Sequence, residues 1–393
     1  MGRTILRGGR IFTGRAFVEG GAALIDGSRI KAVYDRSDQC AARPDDDVRD
    51  IDGMIAAPGF VDIHIHGAMG CDAMNGTYDA IDTIARAIAS RGTTSFLVTT
   101  TTASIDDTYN AIVAAGRAMK RGTSGAQVLG VHMEGPFINA DHKGAQMASF
   151  ILPPSMDAYR SMTGEYGHIV KRVTLAPEVE GALEISRYLH KNGILVSAGH
   201  TGASYDEMRR AYDAGVTHTT HLFNGMNPIH HREPGAPGAA LTQDGWTVEV
   251  IADTVHLHPA ILRMAWLCKG ADGCALISDA MGATLMGDGA YDLGGQKVIV
   301  RDGQARLEAG NLAGTILTLD KAVKNMVEAA GIPLADALKM ASLTPARLIG
   351  ADGRKGRIEQ CYDADIVLLD EADLSVKGAM IAGKWYWHNA VCG

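Results

Sequence analysis

The sequence predicts an α/β chain: a (β/α)8 TIM-like barrel joined to a small β-sandwich domain built from both chain ends. Three observations predict it. Eight apolar, strand-like runs recur between residues 55 and 278, with amphipathic helical patterns between them. Residues able to hold a metal ion stand where several of those runs end. Short β-like runs separated by turns occupy the two ends of the chain, on either side of this alternating middle. The expected division is residues 1–57 and 349–393 for the sandwich, and residues 58–348 for a metal-dependent catalytic barrel.

In chain order, residues 3–51 give short β-like runs, with Asp26-Gly27 between two of them as a hairpin signal. This opening segment is too short to close a core of its own. The strand-like runs of the middle are 55–66, 94–99, 127–133, 172–175, 194–198, 217–221, 247–252 and 275–278. Helical patterns fall at 78–91, 106–121, 179–192, 205–214 and 259–269. A doubly wound open sheet is the rival, but no glycine-rich nucleotide fingerprint follows the first run. A hairpin around Asp302-Gly303 interrupts the rhythm at 291–308, helical patterns return at 319–330 and 334–341, and the tail at 364–369, 377–381 and 384–387 is β-like again. The economical arrangement pairs that tail with the N-terminal unit.

With 37 basic and 45 acidic side chains among 393 residues, the formal net charge is −8, which disfavours a nucleic-acid surface. The six cysteines, Cys40, Cys71, Cys268, Cys274, Cys361 and Cys392, form no CxxC, so neither a disulfide frame nor a zinc ribbon is expected. No secretory pattern opens the chain and no run of about 18 apolar residues offers a membrane span, so a cytoplasmic protein without a membrane partner is expected.

The stretch at 57–67, Ala-Pro-Gly-Phe-Val-Asp-Ile-His-Ile-His-Gly, places His64 and His66 two apart and hence on one side of a strand. An HxH alone has an ordinary structural explanation, so it needs partners. Glu134 follows the third run, His200 the fifth, His221 ends the sixth and Asp279 follows the eighth. In a barrel these ends meet at one mouth. Four imidazoles and two carboxylates suffice for one or two divalent ions, with Glu134 able to bridge them, His64 and His66 holding one and His200 and His221 the other. Such ions serve hydrolysis, and Asp279 beside a metal-bound water could move its proton to a leaving amine. His132, His168, His190, His218 and His388 are given no role.

These residues resemble the amidohydrolase superfamily, and more narrowly the family of N-acetylglucosamine-6-phosphate deacetylases. The wider likeness rests on the HxH stretch, His200, His221, Asp279 and Asp-Ala-Asp-Ile-Val at 363–367. The narrower one rests on His-Met-Glu-Gly-Pro-Phe at 132–137, Ala-Gly-His-Thr at 198–201, His-Leu-Phe-Asn-Gly-Met at 221–226 and His-Arg-Glu-Pro-Gly at 231–235, extended by 277–281, 312–314 and 341–346. The resemblance implies removal of acetate from N-acetylglucosamine 6-phosphate, in amino-sugar catabolism and cell-wall sugar recycling. It implies Glu134, His200 and His221 as metal ligands, Asp279 as acid and base, and Ala145, Gln146, Asn224, Gly225, Arg232, His256, Leu312, Ala313 and Gly314 as substrate contacts. It also implies a homodimer in which Arg232 reaches the phosphate in the neighbouring active site.

Three departures refine this. Some members lack the paired histidines and use one metal; His64 and His66 are present, so two ions per subunit are expected, from zinc, iron, manganese or cobalt. Many members carry a histidine where Gln146 stands, so the second metal is expected to polarise the acetyl carbonyl. No lysine ends the fourth strand, which leaves Glu134 as the bridge. The alternatives are a deacetylase of N-acetylgalactosamine 6-phosphate or another N-acyl amine, and a metal-free scaffold, whose mark would be eroded ligands.

Overall fold

A computed structural model describes residues 2–387; residues 388–393, which include His388, Cys392 and the end of the segment assigned to the sandwich, lie outside the described residues. Eight parallel strands form one sheet: Phe60–Ile65, Thr93–Thr100, Gln127–Glu134, Val170–Leu175, Leu195–Ala198, Val216–Thr219, Thr247–Ile251 and Cys274–Ile277. All residues of the second strand are buried, as expected where helices cover one face and the barrel interior the other. The sheet closes at its C-terminal end, where Ile65 bridges Ala280, and the Asp279 N–H donates to the His64 carbonyl at 2.9 Å. Lower on the same seam, the Ser278 hydroxyl donates to Asp62 at 2.6 Å.

The helices form because their apolar residues recur at helical spacing and their first turns are capped. Tyr78–Ala89 buries Ile81, Ile84, Ala85 and Ile88 against the barrel, and the Thr77 hydroxyl accepts from the Ala80 N–H at 3.2 Å. Before Tyr205–Asp213, Ser204 and Glu207 satisfy each other's backbone N–H groups. Gly235–Thr242 was not legible as a helix because all but its last residue are buried, leaving no polar face to set a period.

The sandwich joins both chain ends. One sheet runs Arg29–Tyr34, Ala22–Asp26, Arg3–Arg7, Asp47–Asp50; the other runs Lys384–Trp387, Val376–Ile381, Ile366–Asp370, Met54–Pro58, Arg10–Phe12, Phe17–Glu19. Leu6, Ile25 and Ile30 of the first sheet pack on Ile11, Ala56, Ile366 and Leu368 of the second. Buried Lys355 ties the sandwich to the barrel, contacting Asp363 at 2.9 Å, Asp365, and Gln127 at the foot of the third barrel strand at 3.0 Å.

Three expectations need correction. The run 55–66 is two strands: Met54–Pro58 belongs to the sandwich and Phe60–Ile65 to the barrel. Gly59 breaks them, its N–H turned to the Asp365 carbonyl at 2.9 Å, where a side chain would overlap Thr94. The sixth strand stops at Thr219, because the backbone turns left-handed at His221 (φ 28°). The 291–308 insertion is a three-stranded sheet, since Gly289–Leu293 adds to Gln296–Arg301 and Gln304–Leu307. Among the described residues five cysteines are free, and no helix is long and apolar enough to cross a membrane.

Candidate active site

At the mouth of the barrel the six residues expected to hold metal come together. Their ligand atoms fall into two groups, His64, His66 and Asp279, and Glu134, His200 and His221, each within 4.8 Å of one another. Glu134 stands between them. Its Oε1 is 3.3 Å from His64 Nε2, 3.3 Å from His200 Nε2 and 3.1 Å from His221 Nε2, while its Oε2 is 3.4 Å from His66 Nε2. Asp279 Oδ1 lies 3.3 Å from both His64 Nε2 and His66 Nε2.

The backbone that presents these groups is strained in the same places. His200, His221 and Asp279 have φ values of 48°, 28° and 49°, a region that costs a non-glycine residue about 1–3 kcal/mol. The surroundings hold each one there. The His200 carbonyl accepts from the Asn139 N–H at 3.0 Å, the His221 N–H donates to Glu249 at 3.0 Å, and the Asp279 carbonyl accepts from the Thr315 N–H at 2.9 Å. Strain at three strand ends turns three side chains inward that a regular strand would carry past the mouth.

Outer nitrogens fix the imidazoles. His64 Nδ1 donates to Glu249 at 2.8 Å, His200 Nδ1 to the His142 carbonyl at 2.9 Å, and His221 Nδ1 to the Asn224 carbonyl at 3.0 Å. Those oxygens only accept, so each ring holds a hydrogen on Nδ1 and turns Nε2 inward. His64 Nε2 is buried without a hydrogen-bond partner. Burial alone would lower the His64 pKa, yet the carboxylates of Glu134, Asp279 and Glu249 raise it to about 9. Burial likewise would raise Glu134, but His64, His200 and His221 hold it well below the usual carboxylate range. The cavity therefore favours positive charge among inward-facing nitrogens and two carboxylates, and the donor set fits divalent transition metals.

Beneath the mouth lies a buried polar layer that sequence reasoning missed. Arg172 and Glu249 are both fully buried and paired through the guanidinium NH1. Arg172 also donates to Ser197 at 3.0 Å and to Thr220 at 2.7 Å, and His218 Nε2 lies 3.4 Å from Glu249. Burial would raise Glu249, and Arg172 and His64 hold it well below its ordinary value. His132, 2.7 Å from the Thr174 hydroxyl, is pushed well below the ordinary imidazole pKa by burial and by Arg172, and stays neutral. Arg172→Met is expected to destabilise the protein by about 3–5 kcal/mol, since Glu249 would remain buried without its counter-charge; denaturant unfolding of the metal-stripped variant measures this. The one sequence signal that could have drawn notice is a glutamate between two valines, Val248 and Val250, and it does not reveal Arg172 as the partner.

The cavity above the ligands is lined by Ala145, Gln146, Asn224, Gly225, His256, Leu312 and Gly314, together with Thr101, Gly144 and Leu293, which the sequence did not single out. Gln146 is buried, and its place is fixed: its Oε1 accepts from the Thr102 N–H at 2.9 Å, so its Nε2 donates to Glu134 at 3.0 Å. His256 Nδ1 is held by Asp253 at 2.7 Å. Ala313 is turned away from the cavity and packs with Met281, Val298 and Ala305. Arg232 is exposed and lines a separate groove with Tyr205, Asn227 and His230, its NH1 donating to His231 at 2.6 Å.

Residues 55–386 match the amidohydrolase family. The N-acetylglucosamine-6-phosphate deacetylase of Lysinibacillus sphaericus is 40% identical over 319 residues, 81% of this chain and 82% of that protein. The N-acetylgalactosamine-6-phosphate deacetylase of Escherichia coli O157:H7 is 38% identical, covering 86% of this chain and 89% of that protein. Among solved structures, the N-acetyl-D-glucosamine-6-phosphate deacetylase of Mycobacterium smegmatis in complex with N-acetyl-D-glucosamine-6-phosphate superposes with a TM-score of 0.90 at 33% identity, over 98% of this chain and 99% of that one. The Thermotoga maritima N-acetylglucosamine-6-phosphate deacetylase gives 0.86 at 34% identity, over 97% and 99%. Fold, ligand sets and relatives agree, and the chain belongs to the amidohydrolase family, among its amino-sugar 6-phosphate deacetylases.

Proposed function

We infer that the protein hydrolyses the acetamide of N-acetyl-D-glucosamine 6-phosphate to acetate and D-glucosamine 6-phosphate, in amino-sugar catabolism and cell-wall sugar recycling. The observation that carries this reading is the pair of three-ligand groups meeting at Glu134 beneath a cavity lined by Ala145, Gln146, Asn224, Gly225, His256, Leu312 and Gly314. His64, His66 and Asp279 would hold one divalent ion and Glu134, His200 and His221 the other, from zinc, iron, manganese or cobalt. Bound there, such ions supply an activated water and a polarised carbonyl. In the division proposed here, residues 58–348 carry this chemistry, and residues 1–57 with 349–393 brace the barrel.

The chain's own residues do the rest. Asp279 takes a proton from the water that adds to the acetyl carbon, and returns it to the sugar nitrogen as the C–N bond breaks. The water oxygen leaves in acetate, and the water's other proton, lost as the new carboxylic acid ionises, converts the freed amine to an ammonium. Asn224, the backbone at Gly225 and His256 orient the sugar, while Gln146 closes the loop over Glu134 and keeps bulk water out. Arg232 serves the phosphate of the neighbouring subunit in a cytoplasmic homodimer, with a planar fork matched to that group.

Acetate release from N-acetylglucosamine 6-phosphate, its galacto isomer and unphosphorylated N-acetylglucosamine, measured in parallel, tests the assignment. Strong preference for the first supports it. Comparable rates on both phosphates support the second reading, a broader amino-sugar deacetylase, which the 38% identity to the N-acetylgalactosamine-6-phosphate enzyme favours. Arg232→Ala is expected to raise KM for the phosphorylated sugar about 10- to 100-fold, the loss of one or two charge-assisted hydrogen bonds, and to leave the unphosphorylated sugar unchanged. Equal effects on both sugars would remove Arg232 from the phosphate.

A further inference from the structure

We propose that Glu249 is a positioning residue shared by both metal positions, one carboxylate oxygen setting a ligand of each three-residue group. The inference rests on the two-metal reading above. Glu249 sits in the middle of the seventh strand, fully buried below the ligands. Its Oε1 accepts from His64 Nδ1 at 2.8 Å, and the same atom accepts from the His221 backbone N–H at 3.0 Å. His64 belongs with His66 and Asp279, whereas His221 belongs with Glu134 and His200. No other described hydrogen bond to a side chain outside the ligand set reaches a member of each group through one atom.

The two bonds do different things. The bond to His64 holds the hydrogen on Nδ1 and fixes ring rotation, so that the unpartnered Nε2 lies between Glu134 and Asp279. The bond to His221 holds a backbone with φ 28° that would otherwise relax and swing the imidazole out of reach of Glu134. Glu249's remaining contacts explain why it stays put. Oε2 pairs with Arg172 and lies 3.4 Å from His218 Nε2, and the Glu249 carbonyl accepts from the Leu222 N–H at 2.9 Å. Arg172 in turn reaches the Ile63 carbonyl at 3.4 Å and the Thr220 hydroxyl at 2.7 Å, each one residue before a histidine ligand. The carboxylate is thus a strut clamped from below, with its upper oxygen given to the two ligands.

A purely structural glutamate would serve only to neutralise Arg172, and the two roles separate in a metal titration. Cobalt(II) is titrated into metal-stripped wild type, Glu249→Gln and Glu249→Asp, following the ligand-field absorbance and competition with a chelator, with apo-protein thermal midpoints measured alongside. Glu249→Asp keeps the charge for Arg172 and withdraws the oxygen from His64 and His221, so it answers even where Glu249→Gln fails to fold. The expected result is two equivalents bound by wild type, and both weakened in the variants by about 10- to 100-fold with altered absorbance. Variants with a lowered apo midpoint but wild-type affinity at both positions would overturn the proposal, as would weakening of one equivalent alone. Wild type binding fewer than two equivalents would overturn the two-metal reading itself, and this proposal with it.

Discussion

Asp279→Asn is expected to lower kcat for acetate release by about 10²- to 10⁴-fold at saturating metal, with the fold intact. Asparagine keeps the volume, and the backbone bonds that hold this position, from the Asp279 N–H to the His64 carbonyl and from the Thr315 N–H to the Asp279 carbonyl, do not involve the side chain. What changes is proton chemistry. Burial would raise the Asp279 carboxyl, but His64 and His66 hold it below its ordinary value, so it enters the reaction ionised and able to accept a proton. An amide can neither take the water proton nor return one to the sugar nitrogen. The loss falls on kcat, with KM changed little, because the proton is moved only in the transition state. Steady-state kinetics with metal content measured on the same sample checks this. A kcat within tenfold of wild type would remove Asp279 from proton transfer.

Glu134→Ala is expected to be more damaging, reducing both bound metal and activity, the latter by at least about 10⁴-fold. Glu134 is the one ligand within 3.4 Å of all four imidazoles. Without it the second group keeps only His200 and His221, and Asp279 is the remaining carboxylate among the ligands of either group. A divalent ion at His200 and His221 then gives up its hydration for imidazoles with no carboxylate beside them, and the first group loses its link to the second. The metal content of the purified variant should fall below one equivalent per chain. Retention of two equivalents would show that the carboxylate does not join the groups.

The strand ends of the barrel were legible because parallel strands buried on both faces read as short apolar runs, and a histidine or carboxylate closing such a run stands out. Glu134, His200 and Asp279 were found in that way, one at a time, and the barrel rule placed them together. Two kinds of feature were illegible. Local pattern hid the break at Gly59, since Met54–Pro58 and Phe60–Ile65 are equally apolar and only the pairing of the first with Ile366–Asp370 separates them. Tertiary placement hid Arg172 and Glu249, which look like surface charges on their own strands and find each other across the barrel interior. The sequence likewise shows which residues follow a strand, not that His200, His221 and Asp279 reach the mouth through left-handed backbone. Gln146 shows both sides: its place after Gly144-Ala145 was readable, while its bond to Glu134 depends on the loop folding back over the third strand.

Titrating a divalent metal into the chelator-stripped protein, while following acetate release from N-acetylglucosamine 6-phosphate, asks whether two ions joined at Glu134 make this site a deacetylase. The expected result is no release from the stripped protein and a rate that rises to its plateau at two equivalents per chain. Release undiminished by stripping, or none at any loading, would contradict it.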